Sequence, residues 1–223
     1  MALKMAICVT ERFKRFANGF GLSSEVATYL WQEIEAHYTQ SHRYYHTLDH
    51  IEAMLGHFDQ VKDLLNDPDL VEAAIWYHDI IYKTQATHPN QSFDNERESA
   101  ELACERLKST SLDLEKLHNM IMATKHGAEK PKTQDDAFLV DIDLSILGQR
   151  ADIYALYTRY VRKEYGFVPE ALYKTGRSSI LKAFLAQDKI YQTSYFFERF
   201  ERQARLNIGQ EIRGLSLLRN TPK

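Results

Sequence analysis

Apolar residues recur at three- and four-residue intervals along most of this chain, and no stretch shows the strict alternation of a half-buried strand. That pattern predicts an all-α fold. Ala27, Leu30, Trp31 and Ile34 follow the cap candidates Ser23 and Ser24, and Ile51, Met54, Leu55, Phe58, Val61 and Leu65 carry the next helix. Asp67-Pro68 opens another, with Asp as N-cap and Pro in the first turn, where its missing N–H costs nothing. This helix is expected to contain the run Trp76-Tyr77-His78-Asp79-Ile80-Ile81-Tyr82. Further helices are expected over 95–108, 112–126, 135–147 and 152–165, from Pro169 through Tyr173, over 180–185, and in a long final segment from Phe196 to Ile212. With no interdomain linker in view, 1–223 reads as a single all-α domain. The polar stretch Lys83 to Phe93, rich in Thr, Gln, Asn and Pro, is a candidate flap.

At 223 residues the chain is long enough to bury a substantial core, and 44% hydrophobic with 26% charged residues is ordinary for a soluble globular protein. A formal charge of −3 gives no global attraction to nucleic acid or to an anionic membrane, which favours a small-molecule partner. Cys8 and Cys104 form neither a CxxC pattern nor a disulfide framework. The apolar run at the start is too short for a signal peptide, and no later stretch is long and uncharged enough to span a bilayer, so a cytoplasmic protein is expected.

The chemistry concentrates where ionisable groups interrupt apolar runs. An unpaired buried carboxylate is costly, so Asp79 beside His78 needs a partner or a metal. His46 and His50, four residues apart, would share a face if helical, and Asp141 and Asp143 stand in another apolar stretch. Helical bundles build metal sites from such side chains on facing helices. Mixed imidazole and carboxylate ligands suit Mn, Mg, Co, Ni, Fe or Zn without selecting one. His126 could serve a second metal or contact a phosphate. His37, His42, His57, His88 and His118 read as surface or half-buried residues. The aromatic residues at helical spacing in the C-terminal third read as packing residues.

The order His50, His78-Asp79, Asp143 resembles the H...HD...D signature of the HD superfamily of metal-dependent phosphohydrolases. The resemblance implies an HD core over about 44–148, with the helices of about 151–217 packed on it, and one divalent metal held by His50, His78, Asp79 and Asp143. Asp141 is the alternative to Asp143, which the Asp-Leu-Ser context favours by its match to phosphodiesterases. Tyr45-His46-Thr47-Leu48-Asp49-His50 is similar to the YHxxxH element of cyclic-nucleotide phosphodiesterases, which makes His50 the ligand and His46 the general acid. Asp-Ile-Asp-Leu-Ser-Ile-Leu-Gly and Arg-Lys-Glu-Tyr-Gly-Phe-Val-Pro resemble an uncharacterised bacterial branch of predicted HD phosphohydrolases. The residues after Asp79 lack the HDxxED and HDxxH arrangements of better-known relatives, which lowers the weight of those particular activities.

The implied reaction is hydrolysis of a phosphate ester of a small molecule, with a nucleotide as the favoured class, by water activated on the metal at His78 and Asp79. His46 would protonate the leaving oxygen. Arg43, Lys83, Lys125 and Arg177 are the candidate phosphate-holding cations, and Glu96 and Glu98 the candidate carboxylates behind the ligating histidines. The alternatives are a di-iron HD-type oxygenase, for which His126 is the spare ligand, and a non-catalytic nucleotide-binding sensor on the same scaffold.

Overall fold

The computed structural model describes residues 9–85, 93–125 and 131–217, and these form ten α-helices, two short 3₁₀ segments and no strand. None of these helices is long and apolar enough to cross a membrane. The chain divides into two compact units, Met1–Lys130 and Pro131–Lys223.

The first unit contains α1 (Val9–Gly19), α2 (Ser24–Tyr38), α3 (Leu48–Val61), α4 (Pro68–Tyr77), α5 (Asn95–Leu107) and α6 (Leu114–Ala123). Its centre is α4. Every residue from Leu70 to Tyr77 is buried, and the helix packs against α3, α5 and α6. A helix covered on several sides needs no polar face, which is why its sequence runs continuously apolar. Its start is fixed as expected, with the Asp67 carboxylate accepting from the Leu70 N–H at 3.1 Å. The one charge buried in it, Glu72, accepts from Arg12 Nε at 2.9 Å, and the same guanidinium forks onto Asp59 at 2.8 Å. One arginine thereby ties α1, α3 and α4. Phe13 meets Trp76 edge-on at 5.3 Å, and Trp31 meets the same indole at 6.4 Å. Each such aromatic contact adds about 0.5–1.5 kcal/mol beyond the area it buries.

The second unit contains α7 (Gln134–Asp143), α8 (Ala151–Glu164), α9 (Glu170–Ala186) and α10 (Ser194–Leu217), with a 3₁₀ segment Leu144–Gly148 continuing α7. Thr133 and Asp136 form a reciprocal capping box at the start of α7. α10 packs on the 3₁₀ segment, and a Cβ on Gly148 would lie 2.5 Å from the Phe200 Cβ and 2.8 Å from its carbonyl oxygen. Only glycine permits that approach. The carbonyls there are taken by side chains: Asn207 donates to Leu147 and Gln149 at 2.8 Å, and Tyr191 to Leu144 at 3.0 Å.

Four local expectations change. α4 ends at Tyr77, so His78 caps it and Asp79 to Tyr82 lie beyond it. The groups that would continue the helix are engaged elsewhere: the Ile75 carbonyl lies 3.0 Å from His78 Nδ1, the Trp76 carbonyl accepts from the Tyr38 hydroxyl, and the Ile81 N–H donates to Ser99 Oγ. His46 precedes α3 instead of sharing its face with His50. The two short segments expected after Pro169 are one helix, because Lys174 and Arg177 in the polar stretch between them find Glu170 and Glu211 as partners. α1, with Phe13, Phe16 and Ala17 buried, was not anticipated. The expected flap falls largely on residues 86–92, outside the described residues.

Candidate metal centre

In the first unit the candidate residues meet around the end of α4. His50 stands in the first turn of α3, His78 caps α4, Asp79 follows it, and His46 lies just before α3. The His50 and His78 Nε2 atoms are 3.3 Å apart, and an Asp79 Oδ2 lies 3.2 Å from His78 Nε2 and 3.9 Å from His46 Nε2. His50 and His78 are buried, Asp79 and His46 partly so.

The hydrogen bonds assign one tautomer. His78 Nδ1 lies 3.0 Å from the Ile75 carbonyl, which can only accept, so Nδ1 carries the proton. A neutral His78 then presents a bare lone pair at Nε2, and a carboxylate oxygen lies 3.2 Å from it. Two acceptors at that distance repel unless a positive centre lies between or beside them. A proton on Nε2 or a divalent cation satisfies this, and the latter also uses the His50 nitrogen. A backbone carbonyl behind a ligating imidazole is a usual orienting partner. Burial raises the Asp79 pKa, but the imidazoles of His78, His46 and His50 outweigh it and hold the carboxyl well below its ordinary range. That depression depends on positive charge beside the carboxylate, since burial alone would push it up. Among the described residues, His50 and His78 thus belong to a His/Asp group able to hold a metal ion.

His46 is held by rings. It stacks on Tyr82 at 4.1 Å and meets Tyr45 edge-on at 4.9 Å, while Tyr45 lies 4.9 Å from His50. The Tyr82 ring also lies parallel to that of His42, with centres 6.4 Å apart, and His42 Nε2 is 2.8 Å from the Tyr82 carbonyl oxygen. Tyr45 and Tyr82 were not singled out from the sequence. Their signal is positional, since each adjoins the histidine elements as the last aromatic before His46 and the first after Asp79.

The cations expected to hold phosphate are engaged with the chain itself. Arg43 is buried and donates to the carbonyls of His46, Asp79 and Ile80 and to Gln40, with Tyr38 and Tyr82 rings against its guanidinium. Lys83 pairs with Glu98, and Lys125 with Asp94 at 2.6 Å, both at the start of α5. Glu98 thus faces a lysine, and Glu96 is half-buried in the same first turn. His126 lies outside the described residues, as does His88. His42 is exposed, and His37, His57 and His118 are half-buried, in keeping with the surface reading.

In the second unit, Arg177 makes a two-pronged pair with Glu211 at 2.8 and 3.2 Å and donates to the Tyr157 hydroxyl. Tyr154 donates to the same Glu211. Asp141 is fully buried; one oxygen accepts from the Gln192 N–H at 2.8 Å, the other from the Thr193 N–H and hydroxyl at 2.7 Å. Burial pushes its carboxyl up to about 6 despite these donors. Its role is to fasten the turn that opens α10. Asp143, the last residue of α7, is half-buried.

No protein-family model, curated protein or solved structure matches the chain.

Proposed function

We propose that this chain is an HD-type phosphohydrolase in which His50, His78 and Asp79 hold one divalent cation, with Asp143 added by the resemblance, and a small phosphate ester, of the nucleotide class, is hydrolysed. The observation that carries the reading is the pair of buried imidazole nitrogens 3.3 Å apart, with an Asp79 carboxylate oxygen 3.2 Å from one of them. Two neutral imidazoles with one or two carboxylates make a hard and borderline donor set that suits a divalent first-row ion or magnesium. Asp143 enters by the resemblance of its Asp-Leu-Ser context, and because Asp141 spends both oxygens on Gln192 and Thr193.

Bound there, the cation supplies a water ligand acidic enough to deprotonate near neutral pH and neutralises charge on a phosphoryl oxygen. The chain contributes the rest. The Ile75 carbonyl fixes the tautomer of His78, so that Nε2 faces the site. The Asp79 carboxylate faces both imidazoles, 3.2 Å from His78 Nε2 and 3.9 Å from His46 Nε2. His46, stacked on Tyr82 and partly exposed, is placed to hand a proton to a departing alkoxide. With Arg43, Lys83 and Lys125 bonded to the protein, phosphate would be held chiefly by the cation, aided by Lys83 or Lys125 when it releases its acid.

The test is an assay of the purified protein with Mn²⁺, Co²⁺, Mg²⁺ and Ni²⁺ against a panel of phosphate esters. Metal-dependent turnover that disappears in the double variant His78→Ala, Asp79→Ala supports the proposal. Turnover under no metal overturns it, and nucleotide binding without turnover would point to the sensor alternative.

A further inference from the structure

Arg43 is buried, and its partners come from the two segments that carry the site. Its Nη1 donates to the His46 carbonyl at 3.2 Å and the Asp79 carbonyl at 2.8 Å, its Nη2 to the Ile80 carbonyl at 2.8 Å, and its Nε to Gln40 at 3.2 Å. The planar fork has donors in fixed directions, and a lysine ammonium cannot reproduce them. The guanidinium lies between the rings of Tyr38, at 5.0 Å, and Tyr82, at 5.4 Å. Tyr82 in turn stacks on His46, and the Tyr38 hydroxyl donates to the Trp76 carbonyl in the last turn of α4 at 3.2 Å.

We infer that Arg43 is a positioning residue, setting His46 and the His78-Asp79 turn in one register, rather than a contact for the substrate's phosphate. The inference deepens the proposed function and rests on it for its catalytic consequence. Its physical basis stands on the apo geometry alone. The carbonyls of Asp79 and Ile80 find their donors on Arg43, which also donates to the His46 carbonyl, so the turn that brings the Asp79 carboxylate beside His78 and His46 is tied to the segment carrying His46. Without the fork those carbonyls lose their donors, and the segment carrying His46 loses its bond to the segment carrying Asp79. A group that orients metal ligands from behind typically changes metal affinity or activity by about 10–100-fold when removed.

The test uses the full-length protein and the variants Arg43→Ala and Arg43→Lys, with three readouts. The first is the NMR signal of the His46 ring, displaced by the Tyr82 ring current, in metal-free protein; it should move in Arg43→Ala while His118 stays put. The second is Mn²⁺ affinity, which should weaken about 10-fold or more in both variants and recover partly in Arg43→Ala when guanidinium is added at concentrations far below denaturing ones. The third is turnover, which should fall in kcat with KM little changed. An unmoved His46 signal together with wild-type Mn²⁺ affinity overturns the inference. A raised KM at wild-type kcat also overturns it, returning Arg43 to phosphate binding. If wild-type protein binds no Mn²⁺, the proposed function fails, and the His46 signal alone decides the role of Arg43.

Discussion

Two aspartates separated by one residue should fail in opposite ways when removed. Asp141 is fully buried and accepts three hydrogen bonds, from the Gln192 N–H and from the Thr193 N–H and hydroxyl, at 2.7–2.8 Å. Hydrogen bonds to a charged acceptor contribute about 1.5–3 kcal/mol, and a donor left without a partner costs about 1–3 kcal/mol when buried. Gln192 is exposed and Thr193 half-buried, so water recovers part of the loss. Asp141→Ala is therefore expected to lower stability by about 2–4 kcal/mol, or roughly 4–16 °C in midpoint for a chain of this size. Asp143 is half-buried at the end of α7, so Asp143→Ala should cost less than Asp141→Ala. Metal affinity should divide the other way, lost in Asp143→Ala and retained in Asp141→Ala at a temperature where that variant remains folded. Thermal unfolding with and without saturating Mn²⁺ reads both, since a ligand at 100 times its Kd adds about 2.7 kcal/mol to the state that binds it. Asp141→Ala protein that is as stable as wild type but has lost the Mn²⁺ response would refute the division of roles.

Three further outcomes are expected. Gly148→Ala should destabilise by about 1–3 kcal/mol or more, because the new Cβ would meet Phe200 backbone atoms that no rotamer change can move; denaturant unfolding within about 0.5 kcal/mol of wild type would contradict this packing. Arg177→Leu and Glu211→Leu should each cost about 1.5–3 kcal/mol by leaving a half-buried charge without its ion partner, and the double variant distinctly less than the sum, a double-mutant cycle showing no coupling being the contrary result. Burial pushes the Cys104 thiol up, and its Sγ lies 3.3 Å from the Leu114 carbonyl, so at a given pH less thiolate forms in the folded protein than in the unfolded chain. In a Cys8→Ser background, iodoacetamide at pH 8 should modify Cys104 more slowly in native than in urea-unfolded protein, and equal rates would contradict the assignment.

Much of the fold was legible because helical periodicity and end signals agree along the chain. Ser23, Asp67 and the Thr133 capping box act as local sequence chemistry dictates. The errors arose where a tertiary contact overrode local preference. The apolar run through Ile81 favours helix, yet α4 stops at Tyr77, where the Trp76 carbonyl accepts from the Tyr38 hydroxyl and the Ile81 N–H donates to Ser99, both distant in sequence. For the same reason the spacing of His46 and His50 suggested one helical face, whereas Tyr82 stacking holds His46 outside α3. Among the site residues, the apolar flanks of His78-Asp79 pointed to a buried pair; His78 is buried and Asp79 half-buried. The expected cations were less legible, since charge alone does not distinguish an arginine facing solvent from one clamped on carbonyls. Nor does spacing separate Asp141 from Asp143; what does is a pair of backbone N–H groups fifty residues further on.

The central claim is that the buried His50, His78 and Asp79 cluster exists to hold a divalent cation rather than a shared proton. Equilibrium dialysis of metal-free protein against Mn²⁺, followed by elemental analysis of the protein fraction, tests it most directly. The expected result is one ion per wild-type chain and none per chain of His78→Ala, Asp79→Ala. Wild-type protein that retains no ion, or the variant retaining as much as wild type, would contradict it.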